Sequence, residues 1–228
     1  AAISASSSQS LSFGLAIGVV LSFWSASTAV GHLLTAINVA YDEHDTRSWF
    51  VKRAIAIAVT VGAVVFVAAT VFAVIALPEL ISRTGIDVDV QRWLRRAIWP
   101  ALAIGFGISL GILYRIAPDR QAPRWRWVSV GSVAAVLAWL ALTAGFRVYI
   151  ANFASYNETY GSLSAVVVLM MWLWFTAVIV LIGAELNAEA EHQTAVDTTV
   201  GPAQPIGARN AVKADHLGPL RPSRPPTR

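Results

Sequence analysis

Five stretches of about twenty residues without an Asp, Glu, Lys or Arg dominate this chain: Leu11–Val30, Ala54–Leu77, Ala97–Tyr114, Trp127–Phe146 and Leu163–Ala184. A helix of about twenty apolar residues crosses roughly 30 Å of hydrocarbon. In lipid only helices and closed barrels satisfy every backbone N–H and C=O. The runs therefore predict an all-α, polytopic integral membrane bundle with spans at 11–30, 54–77, 97–114, 127–146 and 163–184. Only 13% of the 228 residues are charged and the mean hydropathy is +0.61, against about 25% charged in a soluble domain.

The connections carry the polarity. Helical character persists from the first run to Tyr41, about 46 Å at 1.5 Å per residue, so that helix either projects from the bilayer or breaks near Gly31. The second run is expected to stop at Pro78, and Glu79–Arg96, ending in Arg92, Trp93, Arg95 and Arg96, reads as an amphipathic segment in the interface. Pro100 is expected near the start of the third span, where a missing N–H costs little. Residues 1–10 read as an N-terminal remnant without the basic start of a signal peptide, and 11–189 as the transmembrane domain. Residues 190–228, rich in proline, read as a disordered cytoplasmic tail.

Alternating five spans places twelve Lys and Arg, including Arg47, Lys52, Arg53, Arg115, Arg120, Arg124 and Arg126, on one side. Five (Arg83, Arg92, Arg95, Arg96 and Arg147) fall on the other. Positive loops stay inside, so the first set and the C-terminus are expected in the cytoplasm. The outside N-terminus that results is expected of a chain lacking one upstream helix. The net charge of +4 then serves topology and anionic headgroups rather than nucleic acid.

Several short motifs resemble one family. Tyr160–Leu163, Trp172 and Gly183–Asn187 are similar to the last span of the YihY/virulence factor BrkB family. Trp24–Tyr41 with Thr46, Arg47 and Trp49, then Tyr114, Arg115 and Pro118, and finally Gly131, follow the family's earlier motifs in order. The resemblance implies an inner-membrane protein of six spans with both termini cytoplasmic, of which the first is missing here. It implies no agreed reaction: ion or lipid-related transport is suggested for some members, and a ribonuclease BN label is attached to others.

Candidate sites follow from spacing. Ser22, Ser25, Thr28, His32, Thr35 and Asn38 recur every three or four residues and share one helix face; they form either a polar cavity wall or a set of interhelical hydrogen bonds. Glu185 and Asn187 close the last span. A carboxylate there opposes the helix dipole, so Glu185 either has a basic partner such as Arg47 or Arg115 or is solvated. With a partner, its loss would cost more than loss of Glu189. Asn152, Tyr156, Asn157 and Tyr160 line either a mouth or an aromatic belt. Arg120, Arg124 and Arg126 either bind lipid phosphates or enforce topology.

No ionisable residue falls within the five runs, which argues against a proton-coupled pump. His32, His44, His192 and His216 are scattered and there is no cysteine, so no metal site is expected. Metal-dependent phosphodiester cleavage would need clustered ligands. The sequence points to a non-enzymatic transporter or lipid-handling protein without cofactor, or else to a membrane scaffold acting through partners. Its surroundings are the bilayer, and a homo- or hetero-oligomer is compatible with it.

Overall fold

Each apolar run lies within a longer helix, since in a nonpolar surrounding nothing competes for the backbone until polar residues arrive. The computed structural model describes residues 2–152 and 162–218, with side chains described for 13–151 and 164–218. In chain order the helices are α1 (Ala2–Ala40), α2 (Trp49–Val71), α3 (Leu77–Ser82), α4 (Val88–Ile116), α5 (Trp125–Asn152), α6 (Ser162–His192) and α7 (Val212–Asp215). Among the described residues, five helical stretches are long and apolar enough to cross a membrane. Their surfaces leave Phe13, Val65 and Met170 more than 60% exposed, an arrangement suited to lipid or to another apolar surface rather than to water.

Three sequence expectations change. The second run does not stop at Pro78: a π-helical turn, Phe72–Ala76, joins α2 to α3. Pro78 has no N–H and its ring crowds the preceding turn, and a wider turn absorbs both effects. The interfacial segment is not separate. Glu79 belongs to α3, and Arg92, Trp93, Arg95 and Arg96 form early turns of α4, whose start is capped by Asp87 Oδ1 accepting from the Asp89 N–H at 2.8 Å. Pro100 therefore sits inside α4 rather than near its start.

α1 runs unbroken past Gly31 to Ala40 and ends in a hydrogen-bonded turn. The Glu43 N–H reaches the Asn38 carbonyl at 2.9 Å, with Asp42 in the left-handed region at φ 55°, the geometry that terminates many helices.

The chain divides into two compact units. One holds Ala1–Thr35 and Thr46–Ile98, the other Ala36–Asp45 and Trp99–Arg228. In the first, Ser27, Ala56 and Thr60 are buried, and Gly31 of α1 lies over the Ala56 side chain.

In the second unit α5 and α6 touch backbone to backbone. A Cβ on Gly131 would run into the Gly183 carbonyl and the Asn187 side chain, and one on Gly183 would meet the Tyr114 hydroxyl. Small residues allow this approach, and polar groups fix it. The Gly131 N–H donates to Asn187 Oδ1 at 2.7 Å, and the Tyr114 hydroxyl donates to the Val180 carbonyl at 2.8 Å. Phe106, Trp139 and Trp172 stack along the same seam, with ring centroids 4.9 and 5.7 Å apart.

Gly183→Ala is therefore expected to cost about 1–3 kcal/mol through overpacking, read as a lower thermal midpoint in detergent. Gly145→Ala, where nothing lies within 4 Å, should leave that midpoint unchanged.

Candidate functional site

Where α1 ends, three segments distant in sequence meet within the second unit. The Asn38 side chain spans a gap, its Nδ2 donating to the Ala117 carbonyl at 3.1 Å and its Oδ1 accepting from the Asp119 N–H at 2.8 Å. It thereby pins the loop between α4 and α5 to the last turn of α1. Pro118 and Pro123 of that loop are fully buried.

Beneath the loop lies a buried ion pair. Arg120 Nη2 donates to Glu191 Oε1 at 2.9 Å and Nη1 lies 2.6 Å from Oε2, both side chains having no exposure. The guanidinium also sits 5.0 Å from the centre of the Tyr41 ring. Burial pushes the Tyr41 hydroxyl above its ordinary pKa, against the opposing pull of Arg120. The Asn187 amide approaches that hydroxyl without completing a hydrogen bond to it.

The C-terminal segment closes over this end, so the described part of 190–228 is hydrogen-bonded where a disordered tail was expected. The Arg124 N–H donates to the Thr198 carbonyl at 2.8 Å, the Val200 N–H to Ala122 at 2.9 Å and the Gln121 N–H to Asn210 at 3.0 Å. Asp197 accepts from the Thr199 N–H and hydroxyl and from the Gln204 N–H. Arg209, 4% exposed, donates to the carbonyls of Ala195, Gln204 and Ala214. α7 is tied back by Lys213 Nζ to Asp42 Oδ2 at 2.8 Å, and by the Val212 N–H to Glu43 Oε1 at 2.8 Å. The Asp42 partner raises the Lys213 pKa, whereas burial raises that of Glu43 despite the Val212 N–H. Composition suggested disorder because four of the six prolines after Glu185 fall beyond Gly218, outside the described residues. The part within them satisfies its backbone with buried side chains.

The sequence candidates separate accordingly. Asn38 and Asn187 are buried in this cluster. The Arg120 side chain has no exposed surface: Glu191 holds it in the protein interior. Arg124 is drawn to the C-terminal segment, its Nε donating to the Thr199 carbonyl at 2.9 Å. Arg126 is exposed beside Trp127.

Ser22, Ser25, Thr28, His32 and Thr35 are exposed rather than lining an enclosed cavity. Thr28 and Thr35 spend their hydroxyls on the Trp24 and Gly31 carbonyls. Tyr156, Asn157 and Tyr160 lie outside the described residues, as does the Asn152 side chain.

The carboxylate that pairs is Glu191, not Glu185. Sequence reading missed it because it counted the tail from the last apolar residue. The signal was present in Gly183, Asn187 and Glu191, spaced by four on one helix face.

Glu185 is exposed and borders a groove of about 540 Å³. Ala36, Val39 and Ala40 of α1 form one wall and Val178, Leu181 and Ile182 of α6 the other. Among the described residues no group of three His, Asp or Glu gathers as metal ligands would.

The sequence profile described as Virulence factor BrkB matches residues 1–206. The ribonuclease-like protein YfkH of Bacillus subtilis is 31% identical over 182 residues, covering 76% of this chain and 64% of that protein. A UPF0761 membrane protein of Alteromonas mediterranea is 35% identical over 94 residues, covering 37% of this chain and 32% of its own length. One of Aliivibrio salmonicida is 38% identical over 90 residues, covering 40% and 28%. The chain thus spans less than two thirds of the length of these relatives, and no solved structure matches it.

Removing one member of a buried pair leaves the other charge uncompensated. Glu191→Gln is expected to cost about 3–5 kcal/mol, and Arg120→Met combined with Glu191→Leu should recover most of it in the same thermal assay.

A second expectation concerns pH. Burial alone would raise the Asp197 pKa, but the Gln204 and Thr199 N–H groups, the Thr199 hydroxyl and Arg209 together bring it below its ordinary value. A depressed carboxylate stabilises the folded segment above its unfolded pKa of about 3.9, and that contribution is lost as pH falls through the folded value. Proteolytic cleavage within 195–210 should stay slow from pH 7 to 5 and accelerate below about pH 4; Asp197→Asn should remove the dependence.

Proposed function

Because the chain belongs to the virulence factor BrkB family of membrane proteins, we propose that it handles amphiphiles in the bacterial inner membrane, moving or sheltering a lipid-like molecule without covalent chemistry. The observation that carries this reading is the groove beside Glu185. Six of its seven lining residues are Ala, Val, Leu or Ile, and the seventh is a carboxylate. An apolar channel with one polar group at its end matches a molecule with an acyl chain and a hydrogen-bonding or cationic head.

The same reading places the basic loops and the C-terminus in the cytoplasm, as the Lys and Arg asymmetry supports. The fixed buried cluster of the second unit would hold the last turn of α1, α6 and the loop between α4 and α5 as one frame at that face. The ribonuclease-like name belongs to the Bacillus relative. The gathered carboxylates and histidines that metal-assisted hydrolysis requires have no counterpart in the polar cluster, where Arg120 neutralises Glu191.

Reconstitution into liposomes containing fluorescent phosphatidylethanolamine tests the proposal. The protein should accelerate exchange between leaflets over protein-free vesicles, and Glu185→Gln should slow it by about tenfold. Glu189→Gln, outside the groove, should behave as the unaltered protein. Exchange no faster than in empty vesicles would end the proposal, and so would equal rates for both variants.

A further inference from the structure

The first unit contains a charge that the sequence reading placed outside the membrane. Arg53 lies within the membrane-length stretch Trp49–Ser82. Its side chain lies against α1, stacked on the Trp24 ring with 3.8 Å between the guanidinium carbon and the ring centre. Nη1 donates to Thr28 Oγ1 at 3.1 Å and Nη2 to the Trp24 carbonyl at 3.4 Å. Thr28 is itself oriented by donating to that carbonyl at 2.9 Å. Thr28 lies about 18 Å of helix before Ala40, so the guanidinium is anchored well inside α1 rather than at its terminus.

Neither α1 nor α2 contains an acidic residue, and among the described residues Arg53 has no anionic partner. A guanidinium carries five N–H groups, of which the two hydrogen bonds use two; Nε is buried and unpartnered. A cation in the first turns of such a helix, close to the hydrocarbon, is costly unless compensated. Ser25 and His32 continue the exposed polar face on either side of Thr28, while Val20, Leu21 and Phe50 nearby in sequence are more than 60% exposed. The cation is thus held flat on an aromatic ring, beside hydroxyls, on a surface otherwise suited to acyl chains.

We propose that Arg53, with Trp24 and Thr28, forms a site for the anionic headgroup of an amphiphile, a phosphate or carboxylate presented from the bilayer. The planar fork suits two oxygens of such a group, Ser25 and His32 are placed to meet the remainder of the head, and the exposed apolar side chains meet its tail. The residues are distinct from those of the Glu185 groove, so leaflet exchange can fail while this site stands.

The test uses the whole chain released from nanodiscs into native mass spectrometry, with dioleoylphosphatidylglycerol and dioleoylphosphatidylcholine as probes. The unaltered protein should retain phosphatidylglycerol by about tenfold over phosphatidylcholine, and 10 mM inorganic phosphate (roughly a ten-thousandfold excess over micromolar protein) should not displace it. Arg53→Gln should bring the two lipids to parity. Arg53→Lys should keep part of the preference, since charge remains and the fork is lost. Thr28→Val, which leaves the charge in place, should lower it and serves where Arg53→Gln does not fold. An unchanged preference in Arg53→Gln or in Thr28→Val overturns the site; equal loss in Arg126→Gln overturns its location; displacement by phosphate overturns the lipid source.

Discussion

The Arg120–Glu191 pair is the interaction on which the second unit depends. Two opposite charges without exposure strongly resist separation, because either one left alone in the interior costs several kcal/mol. The pair joins the loop after α4 to the last turns of α6, and Tyr41 lies against it. Its value is positional. A loop of irregular backbone becomes a fixed surface, to which Asn38 and the C-terminal segment then attach.

The contact between α5 and α6 supplies the second constraint. Lipid gives helices little hydrophobic reason to associate, so close backbone approach and a few directed hydrogen bonds must do so. Gly131 and Gly183 permit the approach, while Asn187 and Tyr114 give it direction. Asn187 lies one turn from Glu191, so the helix face that packs against α5 also carries the carboxylate that receives Arg120. Packing and electrostatics share one stripe of α6.

The membrane fold was legible because uncharged length is a strong signal: nothing else accounts for five such runs in 228 residues. The motifs Tyr114, Gly131 and Gly183–Asn187 were also visible, and the structure brings their members together. What could not be read was pairing across long separations. Glu191 looked like a solvated residue after the last span, and Arg120 like a headgroup ligand, since spacing along a chain does not reveal which loop returns to which helix end. Arg53 was counted with a loop because its run was measured from Ala54. The helix begins at Trp49, and a long aliphatic stem lets such a residue join the first turns of an apolar helix while its charged head stays near the interface. The C-terminal segment was misread by averaging Asp197 and Arg209 with the prolines beyond them.

The separation of Arg120 from Glu191 has a consequence for biogenesis. The loop is synthesised before α6, so until the last span follows, its arginine is a cation without that partner. When the last span delivers its carboxylate, the same group is withdrawn into the interior. A single residue thus waits uncompensated in the nascent chain and becomes an internal fastener of the finished one.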